Sequence, residues 1–432
     1  MSRVAIYGGG GSPYNHAAIL SQAGHEVRFV FPVDVLAGVL ESFDAFVMPG
    51  GGYLAMQGQL DPLGLAGCRA IRQYVEAGGM YIGSCAGSYD AATVPAKFLE
   101  LCPAQGELCL LDAEVWNVGE SQFGILESPG IGELIAENAA PDHPVMAGMP
   151  ETFPVTHYNG PFFTGGQVLA RVQGRGSRFT PSESFLGGVS GDHLVDRASA
   201  AGVANIVVAE RGRGRVVLFG SHPEFGSSLS LDDTALSARM LTNAMAWQLD
   251  ESGRPERPHR EVLTDQPIDA VLVDSERAGI DPLVARITQR CARLRDRTYE
   301  SWLHDGAAMS MFGESPRAIW TAALDRIPGL AAEAASAAAR MPADLLSFRS
   351  PAEWAIDAGY LGVYPLLEIV DRQLADAETN WRDGGPGDVN DPYDHMHESP
   401  YHLVAGSYLA AVGGAASAAL LSRMSNPERA SI

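Results

Sequence analysis

An open, mostly parallel α/β sheet followed by an all-helical domain is the architecture this sequence predicts, and three observations predict it. Between residues 3 and 92, short apolar runs alternate with segments of helical periodicity. Three of those runs end in small-residue loops, Gly8–Gly11, Pro49–Tyr53 and Ser84–Tyr89, and in a parallel sheet such loops gather on one rim. Beyond residue 267 the strand patterns stop and helical ones continue. At roughly 150 residues per domain, a chain of 432 has room for two or three domains with cores of their own.

Taken in order, the strands are expected at 3–7, 25–31, 43–48 and 79–83, with helices at 14–23 and 62–77. Residues 106–200 are rich in Gly and Pro with short apolar runs, as further strands and excursions around the sheet require. Val203–Ala209 and Arg215–Phe219 read as a hairpin closed over a solvated arginine-bearing tip, Arg211-Gly212-Arg213-Gly214. A helix over 231–249 completes a first domain, 1–250. A linker at 251–267 follows, where Glu251-Ser252-Gly253-Arg254-Pro255 has no periodicity. The domain 268–432 is expected to be a bundle with helices at 281–304, 315–326, 329–341, 351–382 and 401–424. Arg286, Arg290, Arg293 and Arg297 recur at helical spacing and are expected on a solvated face. The bundle's Ala-rich faces suit a lid, a homo-oligomer surface or a protein docking face.

Composition removes several classes of function. The 30 Lys and Arg against 52 Asp and Glu leave a formal charge of −22, which argues against nucleic acid as a partner. A single lysine, Lys97, lies in Val94-Pro95-Ala96-Lys97, the setting of neither a P-loop nor a Schiff-base lysine. Gly8-Gly9-Gly10-Gly11-Ser12 has no lysine after it, so no nucleotide or other cofactor is expected. Five cysteines without paired spacing fit a reducing compartment, and the strand starting at Arg3 leaves no room for a signal peptide. The expected localisation is cytoplasmic. Tyr401–Leu421 is apolar but built of Ala and Gly with His402, Ser407 and Ser417, so it is expected to pack as a helix with no membrane partner.

The chemistry concentrates in two segments. Tyr81-Ile82-Gly83-Ser84-Cys85-Ala86-Gly87-Ser88 reads as a strand ending in a nucleophile elbow, whose small neighbours let the chain turn sharply and present the Cys85 sulfur. The helix start that follows favours a thiolate, and the Ala86 N–H would face an oxyanion. Gly51 and Gly52, after the neighbouring strand, could supply a second donor. Leu218-Phe219-Gly220-Ser221-His222-Pro223-Glu224, also at a strand end, offers His222 as base and Glu224 as the carboxylate that orients it. Taken singly, each segment would read as a buried core cysteine or as a turn. Cys68, Cys102, Cys109 and Cys291 lack such a setting and read as small core residues.

Gly83-Ser84-Cys85-Ala86-Gly87 together with His222-Pro223-Glu224 resembles the class I glutamine amidotransferase-like superfamily. Met48-Pro49-Gly50-Gly51-Gly52 and Tyr158-Asn159-Gly160-Pro161 resemble the branch that includes the N-terminal domain of biotin-protein ligases. The likeness covers residues 3–249. It implies a flavodoxin-like sheet and a cysteine that attacks an amide to form a thioester, with His222 and Glu224 assisting. Glutamine-hydrolysing relatives carry glutamine four residues after the nucleophile, where this chain has Tyr89. Tyr89, Tyr158 and Asn159 are the expected substrate-pocket residues, with His157 beside them.

The leading expectation is a cysteine-dependent amide hydrolase or acyl or amido transferase acting on a small-molecule amide or acyl substrate. Two other readings stand: a non-catalytic binding or regulatory protein on the same sheet, and an ammonia-donating glutaminase partner of a synthetase. Asp391, Asp394, His395, His397, Glu398 and His402 crowd potential ligands into one segment, but without HExxH spacing a solvated loop is the reading and no metal is expected. His16, His25, His143 and His193 carry no signal of their own.

Overall fold

The computed structural model describes residues 2–8, 13–50, 59–96, 99, 102–117, 129–158, 160–181, 191–225, 236–249, 258, 260, 270–296, 316–338, 363–382, 404, 407 and 411. The chain divides into two compact units, one running to Thr264 and one beginning at Asp265.

The first unit opens as the apolar periodicity dictates: β1 (Arg3–Tyr7), α1 (Tyr14–Gln22), β2 (Glu26–Val30) and a short α2 (Pro32–Leu36) that the sequence reading missed. Then come β3 (Ala45–Met48), α3 (Gly64–Glu76), β4 (Met80–Ser84), α4 (Ala86–Ala91) and α5 (Pro103–Leu108). Strands β3 and β4 are buried along their whole length, because helices cover both faces of a parallel sheet. Helix α3 buries Gly67, Cys68, Ile71, Tyr74 and Val75, one face at helical spacing. Tyr7, Phe46 and Tyr81 on three adjacent strands meet edge-on and tilted, with ring centroids 6.2 and 6.0 Å apart.

Residues 113–219 add β5 (Ala113–Val115), β6 (Gly130–Asn138), β7 (Thr152–Tyr158), β8 (Phe163–Gly165), β9 (Gln167–Pro181), α6 (Gly191–Ala201), β10 (Ala204–Arg211) and β11 (Gly214–Phe219). The sheet order is β2-β1-β3-β4-β11-β10-β9-β6-β7, with β8 pairing β5 and β10. From β2 to β11 all pairings are parallel, and from β11 outward all are antiparallel. The parallel half is the sheet the sequence predicts, and it brings the loops after β1, β3, β4 and β11 to one rim. Although β7 ends the strand order, its Thr156 carbonyl accepts the His222 N–H at 2.8 Å, so the antiparallel half folds back to that rim.

The β10–β11 hairpin closes at Gly212, with φ 61°. Its tip faces solvent as expected, with Gly212 and Arg213 exposed, while Arg211 pairs with Glu76 at 3.1 Å and the Arg215 guanidinium lies 4.6 Å from the centre of the Trp247 ring. Helix α7 (Leu236–Leu249) carries that tryptophan. In the segment expected as a linker, the Arg260 N–H donates to Ser42 Oγ at 2.8 Å and its guanidinium pairs with Glu41 at 2.6 Å.

The second unit contributes α8 (Ala270–Arg295), α9 (Pro316–Ala338) and α10 (Val363–Arg382). The helices expected at 315–326 and 329–341 are one, because the buried stripe Ala323, Leu324, Ile327, Ala331 and Ala334 runs on across Pro328. The arginine face is exposed at Arg286 and Arg293, as expected, and is paired as well. Arg290 pairs with Asp371 at 2.7 Å and Glu378 at 2.6 Å, Arg286 with Asp371 and Arg293 with Glu378, so these side chains tie α8 to α10. Arg297 and nearly all of 401–424 lie outside the described residues. No described helix is long and apolar enough to cross a membrane.

Candidate active site

The strand β4 ends at Ser84 and α4 begins at Ala86, which leaves Cys85 to make the whole turn between them. It does so at φ 49°, ψ −109°, and among the described residues it is the one non-glycine at positive φ. Such a conformation costs of order 1–3 kcal/mol and persists because its surroundings over-determine it. The Cys85 N–H donates to the Phe219 carbonyl, the Ser88 hydroxyl donates to the same carbonyl, and the Tyr81 phenol donates to Gly87 O. Glycine is required on both sides: a Cβ at Gly83 would lie 2.5 Å from Gly87 O, and one at Gly87 would lie 2.1 Å from Met48 O.

The chain after β11 supplies the rest. His222 Nδ1 lies 2.6 Å from Glu224 Oε1, with the imidazole 3% and the carboxylate 0% exposed. A Cβ at Gly50 would lie 2.6 Å from His222 Cε1 and 2.7 Å from Cys85 Cβ, so the two side chains flank a single glycine-sized gap. Burial works to lower the proton affinity of His222. The Glu224 charge, the Cys85 charge and hydrogen bonds with Cys85 and Glu224 together outweigh it, and the imidazole pKa rises to about 10. Burial likewise works to raise Glu224, but His16 and His222 hold its carboxyl below the usual range.

His16, on the first turns of α1, completes this carboxylate's surroundings. Its Nε2 lies 3.3 Å from Glu224 Oε2 and 2.9 Å from Ser84 Oγ, and it is fully buried. His157, on β7, is also fully buried and stacks on Phe162 at 5.2 Å. Both of its ring nitrogens lack a hydrogen-bond partner, and burial followed by the His222 charge takes its pKa down to about 3. A neutral imidazole therefore sits beside a charged one.

The other expected site residues fall as follows. Ala86 is the first residue of α4, where a backbone N–H has no intrahelical acceptor. Tyr89 is buried, and its phenol oxygen accepts from Asn117 Nδ2 at 2.9 Å. Asn117, which the sequence reading did not single out, also accepts from the Phe162 N–H at 2.7 Å and so joins Tyr89 to the loop after β7. Tyr158 is the last residue of β7. Gly51, Gly52, Asn159, the Tyr158 side chain and His395, His397 and His402 lie outside the described residues. Among the described residues no group of three or more His, Cys, Asp or Glu could hold a metal ion. Burial pushes the thiols of Cys68, Cys102 and Cys291 up, Cys102 to about 11 and Cys291 to about 12, as core residues.

Fold and site thus define an α/β chain with a cysteine at a strand-to-helix elbow facing a histidine–carboxylate pair. Residues 40–98 match the family described as biotin-protein ligase, N terminal, a stretch that spans β3, Gly50, α3, β4 and Cys85. The chain resembles that family over this stretch, as its glycine loop and elbow indicate. No curated protein matches the chain. Among solved structures, PurLQS from Thermotoga maritima is similar at 15% identity and a TM-score of 0.37, over 58% of this chain and 100% of the other. A glutamine amidotransferase from Thermotoga maritima is similar at 13% identity and a TM-score of 0.36, over 58% of this chain and 99% of the other.

Proposed function

We propose that the protein is a cysteine-dependent amide hydrolase or acyl transferase that works through a thioester on Cys85. The observation that carries this reading is the convergence at Gly50 of a cysteine in a strained turn and an imidazole held by a buried carboxylate. In the proposed reaction the thiol proton already resides on His222, and the sulfur attacks the substrate carbonyl, forming a C–S bond. Collapse of the tetrahedral adduct breaks the C–N bond, and His222 returns the proton to the departing amine nitrogen. Water or a second nucleophile then gives a proton to His222 and attacks the thioester, breaking the C–S bond. Glu224 keeps Nδ1 as the donor side of the ring, so Nε2 faces the sulfur. The Ala86 N–H, with Gly51 and Gly52, would stabilise the oxyanion. The substrate is a small amide or acyl compound. Tyr89 at the fourth position after the cysteine, engaged by Asn117, favours this reading over ammonia donation from glutamine.

The test uses p-nitrophenyl acetate as acyl donor. The wild-type protein is expected to release a burst of nitrophenolate matching its own concentration and to carry a hydroxylamine-sensitive acetyl group on Cys85 by mass spectrometry. Cys85→Ala should fold and lose the burst. An adduct confined to other residues, or a burst that survives in Cys85→Ala, overturns the proposal and leaves the binding-protein reading.

A further inference from the structure

A buried carboxylate with two oxygens needs two partners, and Glu224 has its second one in an element far from the first in sequence. Oε1 is held by His222 Nδ1 at 2.6 Å, while Oε2 makes no hydrogen bond and has a single ion-pair contact, His16 Nε2 at 3.3 Å. The same His16 nitrogen lies 2.9 Å from Ser84 Oγ, the last side chain of β4 before the elbow. All four groups, His222, Glu224, His16 and Ser84, are at most 3% exposed, so bulk solvent does not reach them.

We infer that His16 is a positioning residue: it closes the open side of the Glu224 carboxylate and ties it to the strand end that carries Cys85, fixing the oxygen that orients His222. The inference rests on the assignment of Cys85 and His222 as nucleophile and base. It follows from hydrogen-bond chemistry. A carboxylate only accepts, so the His16 nitrogen facing it carries a proton, hydrogen-bonded to Ser84 Oγ and in ion-pair contact with Glu224 Oε2. Without that proton Oε2 would be a bare charge in a sealed interior, a costly arrangement that the carboxyl would relieve by protonating. A protonated Glu224 no longer stabilises a charged His222, and the Cys85 proton then leaves only at higher pH. Among the described residues, the adjoining elements also carry Asp90 on α4, which is buried, His157 on β7, which stays neutral down to about pH 3, and Arg239 on α7, which is exposed and donates to the Gly148 carbonyl. None bears on Glu224 as His16 does.

The experiment follows the rate of Cys85 alkylation by iodoacetamide from pH 5 to 10, read by mass spectrometry on the intact full-length protein. Wild type is compared with His16→Phe, which fills the space without a donor, and His16→Gln, whose amide N–H can reach the same oxygen. His16→Phe is expected to slow labelling at pH 7 about tenfold and to move the profile up by about one pH unit, with His16→Gln restoring most of both. A folded His16→Phe whose profile superimposes on wild type overturns the inference. Should that variant fail to fold, ring 15N shifts of the wild-type histidines decide: a protonated Nε2 on His16 is the expected result, and a bare Nε2 overturns it. If wild-type Cys85 labels no faster than Cys68, the nucleophile assignment itself has failed, a result distinct from either outcome for His16.

Discussion

Asp90 is fully buried on α4, and neither of its carboxylate oxygens has a hydrogen-bond partner. Burial, and after it the charge of Cys85, raises its pKa well above the ordinary value. The folded chain therefore holds a proton there that the unfolded chain releases near pH 3.9. Stability from this group is complete below the unfolded value and is lost as pH rises through the folded one. Asp90→Asn, which mimics the neutral acid, should gain on wild type as pH rises from 4 to 8, seen as a growing difference in urea midpoint. A constant difference across that range would contradict the assignment. At this scale the sequence was half legible. Cys85, His222 and Glu224 could be picked out because small residues and strand ends surround them. His16, His157 and Asp90 could not, since their meaning lies in what faces them: Glu224 Oε2 for His16, the His222 charge for His157 and Cys85 for Asp90.

At the scale of elements, the elbow depends on how closely α4 approaches the end of β3. Gly87 sits against backbone, with a Cβ placed only 2.1 Å from Met48 O, and a carbonyl in a buried strand end has no flexible side chain to swing away. Gly174, in β9, has nothing within 4 Å of its would-be Cβ. Gly87→Ala should therefore cost about 1–3 kcal/mol or more and slow Cys85 labelling. Gly174→Ala should be neutral or stabilising by up to about 1 kcal/mol. Chemical denaturation of the two variants checks the pair, and equal costs would sink the close-approach argument. Hydrophobic periodicity gave the early elements to within about two residues, as with Arg3–Tyr7 and Gly64–Glu76. The same local reasoning put Arg286 and Arg293 in water, where about half of each side chain lies, but it could not supply their partners, because a periodic arginine stripe reads alike with or without Asp371 and Glu378 of another helix beside it.

For the whole molecule, the formal charge of −22 is a self-repulsion that compaction must overcome. Screening shortens from about 10 Å at 0.1 M salt to about 3 Å at 1 M. Raising NaCl over that range is expected to raise the thermal midpoint, because the diffuse repulsion outweighs half-exposed pairs such as Arg286–Asp371, which salt weakens. A midpoint that falls with salt would show that the ion pairs dominate.

The amino-acid sequence alone determined the parallel α/β half, the helical character beyond residue 267 and the three residues on which the proposed chemistry turns. Each of these is written in local terms, as a period, a turn or a strand end. Tertiary structure decided the antiparallel return of β7 to the rim, the Gly50 gap and the second imidazole on Glu224. These depend on contacts between segments as distant as His16 and Glu224, and hydrophobic periodicity specifies which face of an element is buried without specifying what it is buried against.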